Sequence, residues 1–87
     1  MIKESRLVSV RYFAGAAAAA GADEEKVELP AGATVADLVT HLAGTHPRLA
    51  PVLDVASLLL DEVTVRDRTV VVPDGATVDV LPPFAGG

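Results

Sequence analysis

The 87-residue sequence has no cysteine and no tryptophan. Without thiols there is no disulfide framework, no thiolate zinc site, no iron–sulfur cluster and no cysteine nucleophile. Aromatic residues are scarce, at 3%, and comprise Tyr12, Phe13 and Phe84, so the 51% hydrophobic content is carried by Ala, Val and Leu. No uninterrupted apolar run approaches the roughly 18 residues of a spanning helix, and no membrane association is expected. Positive charge is also in short supply. Seven Lys and Arg against twelve Asp and Glu give a formal net charge of -5, and the basic residues are scattered from Lys3 to Arg68. Phosphate neutralisation needs clustered bases, so a nucleic-acid partner is not expected and one with a basic face is favoured. The P-loop and the dinucleotide-binding glycine fingerprint are missing, and no nucleophile stands beside a candidate base.

What is present suffices for a fold. A chain with 22% charged and 51% hydrophobic residues lies outside the disordered range, and this length holds one small domain. Lys3 and Arg6, followed by an apolar stretch running into alanines, imitate a secretory signal. That reading fails on Glu4 and Arg11, and cleavage near Ala20 would remove the first strand; a cytoplasmic location is expected.

Val8 to Tyr12 alternate apolar and polar and predict a half-buried strand. Gly15 to Gly21, nearly all alanine, predicts about two helical turns, too short to persist undocked. Lys26 to Leu29 alternate again before the turn at Pro30, Ala31 and Gly32. Thr34 with Asp37 forms a capping-box-like start, and Val35, Leu38, Val39 and Leu42 make one apolar stripe of the main helix, which Gly44 and Pro47 are expected to end. Pro47 to Pro51 reads as a loop or single turn, Ser57 to Leu60 as a buried strand, and Val63 to Val65 as a short one across Asp61 and Glu62. Val70 to Val72 reads as a short extended piece, and Thr77 to Leu81 alternate as the last strand. The segment Pro30 to Val35 recurs nearly intact at Pro73 to Val78, but the period that follows is 3.6 once and 2 once, so these are two similar turns and no repeat. One main helix on one face of a sheet is an α+β architecture.

Chemistry is sparse in the body of the chain. His41 and His46 at i, i+5 do not share a helix face and read as a solvated helix histidine and a loop histidine. Asp23, Glu24, Glu25 and the pair Asp61, Glu62 read as solvated charge. The C-terminus is different. After Leu81, Pro82 and Pro83 stop the strand and send an extended segment outward, with Phe84 a large apolar side chain on it and Ala85 following. Gly86 and Gly87 lack Cβ, so the chain is thinnest at its end, which suits threading a carboxylate through a narrow channel. Six residues from Pro82 to Gly87 reach about 20 Å at most.

Together, Val10, Arg11, Tyr12, Phe13, Ala14 at the start, Leu29 to Val35 with Leu38 at the helix, His46 and Pro47 after it, and Asp74, Gly75 with Val80 to Gly87 at the end resemble the ubiquitin-like β-grasp sulfur carriers, the MoaD/ThiS family, and within them the MoaD-like molybdopterin synthase small subunits. Two departures stand out: Ala16 to Ala20 where many relatives carry Arg and polar residues, and Asp61, Glu62 where Asn-Gly or Asp-Gly is common. The resemblance implies a mixed four- to five-stranded sheet on one main helix, with a β-grasp domain over residues 1–81 and a flexible Gly-Gly tail over 82–87. It implies a carrier and no enzyme. An E1-like adenylating enzyme, using ATP and magnesium, would activate the Gly87 carboxylate for conversion to a thiocarboxylate. Gly86 would give passage into the large subunit of molybdopterin synthase, in a heterotetramer, and Leu81, Pro82, Pro83, Phe84 and Ala85 would bind the partner. The chain itself would bind no cofactor or metal. The alternatives are a carrier for thiamine thiazole, cysteine or tungsten-pterin synthesis, a protein modifier conjugated to lysines, and a β-grasp interaction module with an inert terminus.

Overall fold

In the computed structural model, which describes residues 4–83, the chain forms β1 (Ser5–Tyr12), α1 (Gly15–Ala20), β2 (Glu24–Pro30), α2 (Val35–Thr45), a 3₁₀ turn (Pro47–Leu49), α3 (Ala50–Val55), β3 (Ser57–Leu60), β4 (Val63–Thr64) and β5 (Thr77–Leu81). The strands make one mixed sheet in the order β2-β1-β5-β3-β4. Its centre is the parallel pair β1 and β5, with Arg11 opposite Asp79 and Tyr12 opposite Val80; the other pairs are antiparallel.

The period-2 pattern explains the sheet's two faces. Val8, Val10 and Tyr12 of β1, Val27 and Leu29 of β2, Leu58 of β3 and Val78 and Val80 of β5 are buried beneath the helices. Helix α2 lays Val35, Leu38 and Leu42 into that layer. An isolated helix of this length is marginal, and full burial of each of these side chains contributes about 1.5–3 kcal/mol. Its start is fixed by a complete capping box: Asp37 N–H donates to Thr34 Oγ1 at 3.2 Å, and Thr34 N–H donates to Asp37 Oδ2 at 2.9 Å. Helix α1 has only six residues and docks through fully buried Ala16.

Several expectations need correction. Gly44 does not end the main helix, which runs to Thr45; His46, at φ -125 and ψ 85, is the first residue out, as the following proline demands. Of the loop or single turn expected over Pro47 to Pro51, the turn forms at Pro47–Leu49, and it runs on into α3, which was not expected. Each proline lies in the first turn of a helical piece, where a missing N–H costs nothing, and Leu49 and Leu53 are buried. Val70 to Val72 form only a one-residue bridge, Val71 with Thr34, flanked by bonds from Val35 N–H to Val70 C=O at 3.0 Å and from Val72 N–H to Ala33 C=O at 2.9 Å. The two similar turns share one geometry: Ala33 N–H donates to Pro30 C=O and Ala76 N–H to Pro73 C=O, with Gly32 at φ 87 and Gly75 at φ 81 in the position that favours glycine. The turn between β3 and β4 forms without glycine, with Asp61 at φ 47 and Glu62 at φ 72. The Asp61 side chain helps hold it by accepting from Thr77 N–H at 2.9 Å.

Candidate functional site

The C-terminal segment leaves the domain from the middle of the sheet. Strand β5 has neighbours on both sides: Leu81 lies opposite Ser57 of β3, and Phe13 N–H, one residue past β1, donates to Val80 C=O at 3.2 Å. Leu81 is half-buried, Pro82 continues the buried series of Val78 and Val80, and Pro83 is exposed. Packing thus extends to Pro82, leaving Leu81 and Pro83 as the surface residues of this exit. Phe84, Ala85, Gly86 and Gly87, which the sequence assigns to recognition, passage and chemistry, lie outside the described residues.

On the outer face, directly before the exit, Asp79 is 5% exposed, a buried charge between Val78 and Val80 of β5. Its carboxylate accepts from Arg11 Nε at 2.7 Å and from an Arg11 terminal nitrogen at 2.8 Å, the bidentate geometry that a guanidinium alone offers. Asp79 also holds the guanidinium in its charged form, raising Arg11 above its ordinary value, with a smaller push from Glu24 and Glu62. Glu24 faces Arg11 from β2, so the cation stands between acids on both neighbouring strands. The Arg11 guanidinium carbon lies 5.8 Å from the centre of the Phe13 ring, which is 38% exposed.

On the inner side, the phenol of Tyr12 donates to Glu25 Oε1, and His46 Nε2 pairs with the same oxygen at 2.7 Å. The Tyr12 and His46 rings meet edge to face, 6.2 Å apart. Partial burial works to raise the Glu25 carboxyl, but the hydrogen bonds from Tyr12 and His46 outweigh it and hold it below the usual carboxylate range. Burial first, and the bond to Glu25 second, push the Tyr12 phenol far above its ordinary value. Neither Glu25 nor His46 is therefore the solvated charge or free loop histidine expected from sequence, whereas His41 is exposed. Among the described residues no group of three or more His, Cys, Asp or Glu is placed to hold a metal ion, and no helix is long and apolar enough to cross a membrane.

The pairs Arg11–Asp79 and Tyr12–Glu25–His46 escaped the sequence reading because both depend on strand register. A weak signal existed for Glu25: it shares parity with inward-facing Val27 and Leu29.

A mixed sheet gripping one main helix, with its last strand at the centre and running straight into the C-terminal segment, defines a β-grasp domain of the ubiquitin-like class. The chain belongs to the ThiS family, which matches residues 10–87. A molybdopterin synthase sulfur carrier subunit from Chlamydomonas reinhardtii is 33% identical over 81 residues, 92% of this chain and 98% of that protein. A solved structure from Pyrococcus furiosus assigned as molybdopterin converting factor subunit 1 superimposes with a TM-score of 0.83 at 31% identity, over 91% of this chain and 99% of that one. SAMP1 from Haloferax volcanii, a small archaeal modifier protein, gives a TM-score of 0.82 at 26% identity, over 93% of this chain and 99% of that one.

Proposed function

We propose that this chain is the sulfur-carrying small subunit of a molybdopterin synthase, acting in the cytoplasm as substrate and carrier rather than as an enzyme. The observation that carries the reading is the 33% identity to a sulfur carrier subunit across nearly the whole of both chains. The geometry supports it: β5 is held from both sides and delivers the segment ending in Gly86 and Gly87 from a rigid base.

A carboxylate resists nucleophiles until it has a leaving group. In the proposed sequence the Gly87 carboxylate attacks the α-phosphate of ATP on an E1-like enzyme, with magnesium, forming an acyl-adenylate and releasing pyrophosphate. The outer sulfur of a donor persulfide displaces AMP to give an acyl disulfide, and a second thiol cleaves its S–S bond, forming a disulfide with the donor sulfur and leaving a thiocarboxylate on this chain. Gly86 gives passage into the large subunit, where the sulfur is transferred to a cyclic pyranopterin precursor as the dithiolene is built. Leu81, Pro83, Phe84 and Ala85 contribute partner contact, with Pro82 anchoring the root of the tail.

Intact-mass spectrometry after incubation with the activating enzyme, ATP, magnesium and a sulfur donor tests this. One terminal oxygen is expected to be replaced by sulfur, and deletion of Gly87 is expected to abolish transfer while the circular dichroism stays unchanged. A wild-type chain that remains unmodified, or a shortened chain that still forms the thiocarboxylate, overturns the reading. The likeness to SAMP1 favours a second outcome, conjugation to lysines, which blots of cell extracts for higher-mass species decide.

A further inference from the structure

We propose that Arg11 is a positioning residue for sulfur transfer: clamped on Asp79 and set over Phe13, it fixes the end of β5 and so the direction in which the C-terminal segment leaves the sheet. The inference rests on the carrier reading above and deepens it. Three contacts converge within three residues of the exit, on elements far apart in sequence. Arg11 makes both bonds to the buried Asp79 carboxylate. Its guanidinium also faces the Phe13 ring, and Phe13 in turn donates its backbone N–H to Val80 C=O. One side chain thereby ties β5 to the residue that follows β1, on the outer face, while Pro82 is buried on the inner one. Remove Arg11, and a buried carboxylate two residues before Leu81 loses its partners and is driven toward water. Lysine cannot replace it, because an ammonium neither forks onto both carboxylate oxygens nor stacks its plane on a ring.

A carrier with a reactive end needs such a base. The six residues from Pro82 to Gly87 reach about 20 Å at most, so the place and direction of the root set the volume within which the carboxylate can be presented. Misplacement of a reacting group by about 1 Å can cost about a hundredfold in rate.

The test uses the full chain in four forms: wild type, Arg11→Lys, Arg11→Met, and Arg11→Met combined with Asp79→Leu. The double variant removes both charges, so it leaves no unpaired carboxylate and is expected to fold where the single methionine variant falters. Two readouts are taken on folded protein: ¹⁵N relaxation of the Phe13 and Leu81 amides, and single-turnover transfer from the thiocarboxylated carrier at saturating large subunit. Expected are increased motion at both amides and a transfer rate lowered by about tenfold or more in the double variant, with binding to the large subunit weakened less and Arg11→Lys only partly restoring the rate. Unchanged relaxation overturns the proposal, even if transfer falls, because Arg11 would then act by touching the partner. Unchanged transfer with altered relaxation overturns it equally. If the wild-type chain accepts no sulfur, the carrier reading fails and the transfer role falls with it, while the relaxation arm still decides whether Arg11 fixes the end of β5.

Discussion

Tyr12 shows how one residue serves both layers of this domain. Its ring is 3% exposed in the core and its hydroxyl is committed to Glu25, which also receives His46 from the end of α2. Because its folded-state value lies above the roughly 10 of an unfolded chain, the phenol contributes stability that is fully present below about pH 10 and is lost as pH rises beyond it. Glu25 works in the opposite sense. Its folded-state value is depressed, so its contribution is present above about pH 4.3 and fades as pH falls through the acid range. In alkaline titration, tyrosinate absorbance from this single tyrosine is expected to rise only together with loss of far-ultraviolet circular dichroism; tyrosinate in a still folded chain would contradict it. A Glu25→Gln variant is expected to show a flatter decline of the urea midpoint with falling pH than the wild type. The run Asp23 to Glu25 looks like surface charge in the sequence, since a carboxylate 21 positions from its histidine, with α2 between them, leaves no local signature. Leu81 and the prolines, by contrast, could be read directly, because proline acts on its own backbone.

At the scale of elements, α2 depends on its first turn. The reciprocal bonds of Thr34 and Asp37 satisfy two N–H groups that the helix cannot satisfy itself. Thr34→Ala is expected to cost about 1 kcal/mol, read as a lower urea midpoint with an unchanged slope. Local rules made this helix legible, together with β1, β2 and β5, because capping and periodicity are encoded within a few residues. They failed for α3, where Pro51 looks like a breaker but occupies the first turn, and for Gly44, which needs no left-handed conformation and simply continues the helix. The β3–β4 turn was legible only as a weak signal, since Asp61 and Glu62 adopt positive φ against their own preference, held there by the pairing of Leu60 with Val63 and by the bond from Thr77.

For the whole molecule, the strand order was not written in any local pattern. That β1 and β5 lie side by side, with Arg11 and Asp79 separated by 68 positions, follows from closing the apolar faces of all strands over one helix layer. The edges are guarded differently: β2 carries charge and ends in Pro30, whereas β4 has only two residues. Since β5 is central, shortening the chain to end before Thr77 is expected to abolish the cooperative thermal transition, whereas removing residues 84–87 leaves the midpoint unchanged; circular dichroism on both truncations checks this.

The central place of the last strand also bears on synthesis. A nascent chain emerging from the ribosome exposes β1 and β3 well before their common neighbour β5 is made, and the long loop between β1 and β5 is among the slowest kinds of contact to close. The sheet can be completed only after residues 77–81 have cleared the exit tunnel. Folding of the sheet thus waits for its last strand. Chains terminated before β5 lack the strand that joins β1 to β3, and their sheet stays open to proteolysis.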